Sequence, residues 1–161
     1  YSSGAVLAMK AAAKGLNIGK LVLYEAPVEG LDIGFAEQLA ALIAAGRRGD
    51  AVEFFQSKIV GIPDPVVAQL RHAPFRPYLE ALAHTTVYDT RLVCEPLTGE
   101  ELANITVPAL VIVGEQTNAN FKQANETMAS SLPNGTYMCL EGQNHDLVPP
   151  VLVPVIKSYL G

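Results

Sequence analysis

The sequence predicts an α/β protein built on a parallel β-sheet, and three observations carry that prediction. Short, continuous apolar runs stand at 20–24 (KLVLY) and 108–114 (PALVIVG), the mark of strands covered on both faces. Helical text alternates with these runs, as a parallel sheet with crossover helices requires. A third short run at 136–140 (TYMCL) leads into a last helical stretch.

Residues 3–14 read as a helix because Ala, Leu, Met and Lys dominate them, all strong helix formers. Val6, Met9 and Ala13 give that helix an apolar face, and Gly15 stands where a left-handed cap belongs. The strand at 20–24 stops at Glu25-Ala26-Pro27, since proline cannot extend a central strand. A helix over 35–45 follows, punctuated by Gly46 and Gly49. Asp50 is placed to cap a helix over 51–60. Pro63 and Pro65 precede a short helix at 66–72, and Pro74 and Pro77 precede another at 78–84. No strand signal stands between 30 and 101, so this block reads as one long helical insertion. After the strand at 108–114 come a helix over 119–132, a Pro133-Asn134-Gly135 turn and the strand at 136–140. A helix over 151–160 closes the chain, with Pro149-Pro150 suited to its start.

Half of the 161 residues are hydrophobic and 17% are charged, which excludes a disordered chain and fits a domain of ordinary size. Sixteen acidic and 11 basic residues leave a net charge of −5, with Arg47-Arg48 the largest basic cluster. That balance argues against nucleic acid or an anionic membrane as partner. No apolar run approaches the roughly 18 residues of a membrane span. Cys94 and Cys139 match no metal or CxxC pattern and read as small buried hydrophobes of a reducing, cytoplasmic setting, with a single bridge between them left open. HExxH, GxGxxG and GxxxxGK[ST] are absent, so no metal or organic cofactor is expected. The sequons at Asn104, Asn125 and Asn134 read as chance matches, no secretory signal being visible.

Two stretches could carry chemistry. Ser2-Ser3-Gly4 runs directly into a helix, and a nucleophile elbow needs a serine on a sharp turn between small residues. Ser2 fits equally as an ordinary helix N-cap. His145 follows the third strand in Gly142-Gln143-Asn144-His145-Asp146. The loop beyond a strand's C-terminal end is where the catalytic groups of parallel sheets collect, although a lone loop histidine is by default a surface group. In that position His145 would act as base and then acid toward Ser2. His72 and His84 have no partner at useful spacing and read as surface or interface residues.

Taken in order, YSSGAVLAMKAAAKGL, KLVLYEAPV, VPALVIVGEQTNANF and LPNGTYMCLEGQNHDLVPPVLVPVIKSYL resemble the C-terminal half of the α/β-hydrolase superfamily. The closest likeness is to bacterial, especially actinobacterial, members with a short helical cap. The resemblance covers essentially the whole chain. It implies that the three strands are the family's strands six, seven and eight. It further implies that 1–29 and 102–161 form the hydrolase core, and that 30–101 is a helical cap shaping a water-excluding pocket. Ser2 would be the nucleophile, His145 the catalytic histidine and the Ser3 amide one oxyanion-hole donor.

Two departures from the family pattern bear on function. The usual acid follows strand seven as G-x-x-D, but Gly114-Glu115-Gln116-Thr117 puts a threonine there. The acid would then be Glu25 after strand six, with Glu115 and Asp146 as weaker alternatives, and a structural role for Glu25 also stays open. The second departure is the lack of any counterpart to strands one to five, so the chain reads as a fragment of a longer polypeptide, its activity in isolation left open. A domain that pairs to complete the sheet is the lesser alternative.

The leading expectation is a serine hydrolase acting on a small ester or similar acyl substrate. Phe35, Phe54, Phe55, Phe75 and Tyr78 in the cap suggest an apolar one, although most of them would serve to pack the cap helices. A non-catalytic binding protein on the same fold, supported by Thr117, is the rival. Cofactor-free haloperoxidase or oxygenase chemistry is a third reading.

Overall fold

A computed structural model describes all 161 residues. In chain order the elements are α1 (Ser3–Ala13), β1 (Leu21–Tyr24), α2 (Ile33–Ala44), α3 (Arg48–Phe54), a π-helical turn (Phe55–Ile59), α4 (Asp64–Leu70), α5 (Arg76–Leu82), α6 (Thr85–Cys94), α7 (Gly99–Ala103), β2 (Ala109–Gly114), α8 (Ala119–Ser131), β3 (Gly135–Leu140) and α9 (Pro149–Leu160). They fall into two units: Tyr1–Glu29 with Pro96–Gly161, and Gly30–Glu95.

The first unit is built on a three-stranded parallel sheet in the order β1-β2-β3. Leu21 pairs with Ala109 and Tyr24 with Ile112, while Ala109 pairs with Gly135 and Gly114 with Leu140. Side chains alternate across the sheet. Val22, Tyr24, Leu110, Ile112, Met138 and Leu140 meet Leu152, Val155 and Ile156 of α9. The opposite face, with Leu23, Val111 and Val113 fully buried, is covered by α1 on β1 and by α8 on β2 and β3. All six residues of β2 are buried, as its unbroken apolar run demands. β3 is only half-buried.

Asn118 caps α8 by accepting the Phe121 amide at 2.9 Å. The helix α7 packs on α1, which is why the division between units falls at Glu95–Pro96 rather than after residue 101. Thr98 and Glu101 start α7 with a reciprocal capping box, written in the sequence as T-x-x-E.

The second unit is wholly helical. Asp32 starts α2 by accepting the Gly34 amide at 2.7 Å. Leu39, Ala51, Val52, Ala83 and Val87 form its core, with Phe54 and Phe55 packed against them. Those two phenylalanines therefore pack the helices of this unit together and give no support to an apolar substrate. Phe75 and Tyr78 remain exposed.

Three local expectations are corrected. Asp50 does not cap a helix: α3 begins at Arg48, and Asp50 lies in its first turn, paired with Arg47 at 2.6 Å. The helix α6 was not anticipated, because its Thr-rich start and low apolar content give little helical signal. Cys139 is exposed rather than buried, and both cysteines are free.

Candidate active site

The C-terminal ends of the three strands converge on one small region. Ser2 donates its amide to the carbonyl of Tyr24, the last residue of β1, at 3.0 Å. That bond ties the turn before α1 to the strand end that carries Glu25. Ser2 has φ 52° and ψ −132°, and its side chain makes no capping hydrogen bond. The ordinary N-cap reading of Ser2 is thereby removed, since a cap has extended backbone and an accepting side-chain oxygen. What remains is a serine on a sharp turn at the head of a helix.

Ser2 and Glu25 (φ 53°) are the only non-glycine residues with positive φ. Such backbone costs about 1–3 kcal/mol per residue and persists only where the surroundings enforce it. For Glu25 the enforcement is visible. Its amide bonds the Ile112 carbonyl at 2.9 Å, and Asn125, fully buried, donates to the carbonyl of the next residue, Ala26, at 3.0 Å.

The Glu25 side chain is 1% exposed. Its Oε1 accepts from the Gly114 amide at 2.6 Å and from the Thr117 hydroxyl at 2.7 Å. Its Oε2 lies 3.3 Å from Nδ1 of His145. Burial alone pushes this carboxyl up, but the hydrogen bonds from His145, the Gly114 amide and Thr117 outweigh it and hold the group below the usual glutamate range. Glu25 and His145 are thus brought together across most of the chain, while His145 stays 45% exposed on its other side.

The loop that carries His145 is held at several points. The Tyr1 hydroxyl donates to the His145 carbonyl at 2.7 Å, and the Tyr1 ring stands 5.0 Å from the imidazole. Tyr1 precedes Ser2 directly, so the serine turn and the histidine loop are in contact. The Tyr24 hydroxyl donates to the Asn144 carbonyl. Glu115 accepts the Gly142 amide at 2.9 Å, and the Gln116 amide bonds the Gln143 carbonyl at 2.9 Å. Glu115 therefore anchors the histidine loop by its backbone. Asp146 spends its amide on the Asn144 side chain at 2.8 Å, in a local turn. Ser3 stands at the first position of α1, where helix amides point toward bound negative charge.

His72 is exposed, and His84 lies beside Arg48 in the second unit, Nδ1 to guanidinium 3.1 Å. No group of three or more His, Cys, Asp or Glu side chains is arranged to hold a metal ion. No helix is long and apolar enough to cross a membrane. A cavity of about 480 Å³ in the first unit is lined by Val6, Met9, Pro27, Leu97 and Met128 among others, and it includes none of Ser2, Glu25 and His145.

Glu25 is singled out from the sequence as the acid, whereas the bond that Thr117 gives it and the loop anchors carry no local signal. The one signal available was the missing aspartate at position 117, which asks for a carboxylate elsewhere.

The fold defines the class: the chain belongs to the α/β-hydrolase superfamily and holds a partial α/β-hydrolase fold. It is similar to an α/β hydrolase from Sphaerobacter thermophilus, at 36% identity and TM-score 0.86, over 99% of this chain and 65% of that one. At the level of fold alone it is similar to MenH from S. aureus, with 22% identity and TM-score 0.60 over 99% of this chain and 64% of that one. A thermophilic esterase from Thermogutta terrifontis shares the fold at 17% identity and TM-score 0.63, over 98% of this chain and 61% of that one. The chain thus spans under two thirds of the length of each of these proteins. No protein-family model and no curated protein matches it.

Proposed function

We propose that the chain carries the nucleophile, base and acid of a serine hydrolase acting on a small ester or similar acyl compound. The observation that supports this best is the pairing of a buried, ionised Glu25 with His145, beside a serine held at positive φ. In this reading Nδ1–H of His145 faces the carboxylate, which leaves a lone pair on Nε2. Ser2 Oγ attacks the acyl carbon, and its proton passes to Nε2. The Ser3 amide donates to the oxyanion that forms. The tetrahedral adduct collapses, the alcohol leaves with the proton from Nε2, and the acyl group stays on Ser2. Water then attacks the acyl-enzyme, giving its proton to Nε2, and the second adduct collapses to the carboxylic acid as Ser2 Oγ leaves with that proton. Glu25 stabilises the imidazolium in both halves without taking its proton.

The test is intact-protein mass after exposure to a fluorophosphonate, with Ser2→Ala as control. The expected result is one adduct on the parent and none on the variant. A folded parent that acquires no adduct would overturn the hydrolase reading for this chain and leave ligand binding on the same fold.

A further inference from the structure

The chemistry proposed above gives Thr117 no part, and as a threonine at the family's usual acid position it was the residue that spoke against catalysis. We propose that Thr117 is a positioning residue that sets the tautomer of His145 through Glu25. The inference rests on the hydrolase reading for its consequence, but not for its geometry.

An ionised carboxylate only accepts hydrogen bonds. The Thr117 hydroxyl at 2.7 Å must therefore donate to Oε1, the same oxygen that takes the Gly114 amide at 2.6 Å. The two donors meet there because residues 114–117 form a tight turn, with the Thr117 amide on the Gly114 carbonyl at 3.2 Å. Oε1 has two lone pairs and both are engaged, so it has no room for a proton. A proton on Glu25 would have to sit on Oε2, the oxygen facing Nδ1 of His145. A protonated Oε2 donates to Nδ1, drives the ring proton to Nε2, and removes the base that Ser2 needs. An ionised Oε2 accepts from Nδ1–H and leaves Nε2 free to take a proton.

The burial of Glu25 favours the first, neutral arrangement. The donors on Oε1 favour the second. The carboxylate is presented from a restrained turn, its backbone in the left-handed region and the next carbonyl bonded by Asn125. Thr117 thus supplies from a hydroxyl, through Glu25, the control of His145 that a carboxylate at its own position would exert directly.

The experiment compares the parent chain with Thr117→Val and Thr117→Ser. Three quantities are read: the carboxyl 13C titration of Glu25, the ring 15N shifts of His145, and the rate of fluorophosphonate labelling. Valine keeps the shape and removes the donor. It is expected to raise the Glu25 midpoint toward the ordinary value, to lower the Nδ1–H fraction of neutral His145, and to slow labelling about tenfold, the worth of one hydrogen bond to a charged group. Serine restores the donor and is expected to restore all three. Thr117→Ala carries the same expectation as valine should the valine variant not fold. A donor-less variant with the parent's Glu25 titration and His145 tautomer overturns the inference. A parent that is not labelled at all defeats the hydrolase reading instead, and the two NMR readouts still decide the role of Thr117.

Discussion

A methyl group on Gly114 would stand 2.3 Å from the carbonyl oxygen of Gln143. The end of β2 and the loop bearing His145 are therefore in backbone contact, at the same residue whose amide holds Glu25. Gly114→Ala has no flexible side chain to displace and must move a peptide. The expected cost is about 1–3 kcal/mol, the range for overpacking a filled site. Urea denaturation checks the stability. On the hydrolase reading, fluorophosphonate labelling of Ser2 falls together with it.

Removing the Tyr24 hydroxyl should loosen the histidine loop without disturbing the sheet. Tyr24→Phe keeps the ring packed among Leu110, Ile112 and Leu152 and takes a donor from the Asn144 carbonyl. A loss of about 1 kcal/mol is expected. Amide exchange at 144–146 should rise while exchange in β2 stays slow. Tyr1→Phe removes the corresponding donor from the His145 carbonyl; because Tyr1 is 44% exposed, its effect should be the smaller of the two.

The carboxyl of Glu25 makes stability depend on pH in a known direction. Its folded value lies below its unfolded one, because hydrogen bonds from His145, Gly114 and Thr117 outweigh burial. The unfolded chain then binds more protons in the window between them, so stability rises with pH there. The contribution is complete above the unfolded value, about 4.3, and is lost as pH falls through the lower folded one. Glu53, held low by the guanidinium of Arg71 against a smaller opposing effect of burial and with help from Arg76, acts in the same sense. Glu25→Gln should flatten the acid side of a stability-against-pH curve by its own share and leave that of Glu53.

In the helical unit the weight falls on Arg76. Its side chain is 7% exposed and bonds Glu53 at 3.1 Å, Glu80 at 2.6 Å and the Gly49 carbonyl at 2.8 Å. Glu53→Ala strips one of two carboxylates from a buried cation and also frees Arg71. A loss of about 2–4 kcal/mol is expected, more than for an exposed pair. The exposed Arg47–Asp50 pair provides the contrast, since Asp50→Ala should cost under about 1 kcal/mol. Thermal melts of the two variants separate these cases.

Thr98→Ala tests the start of α7. It removes one half of the capping box, whose Thr98 oxygen accepts the Glu101 amide at 3.2 Å. A loss of about 1 kcal/mol is expected, with no change in the titration of Glu25.

Local pattern determined more of this protein than its length suggests. The runs at 20–24 and 108–114 read as buried parallel strands, and the structure has β1 and β2 there, paired in parallel. Ser2 stood out because S-x-G runs directly into a helix, and His145 because catalytic groups collect where such strands end. The bodies of α1 and α8 were legible in the sequence, α6 was missed because its composition is mixed, and α7 was missed although its capping box is local. Tertiary structure decided the rest. It set Oε2 of Glu25 against His145, Oε1 against Gly114 and Thr117, and Glu115 under Gly142. The partners of Glu25 lie 89, 92 and 120 positions away, so no window of sequence contains both ends of any of these bonds. The left-handed backbone of Glu25 belongs to the same class: glutamate has no preference for it, and only the bonds around it hold it there.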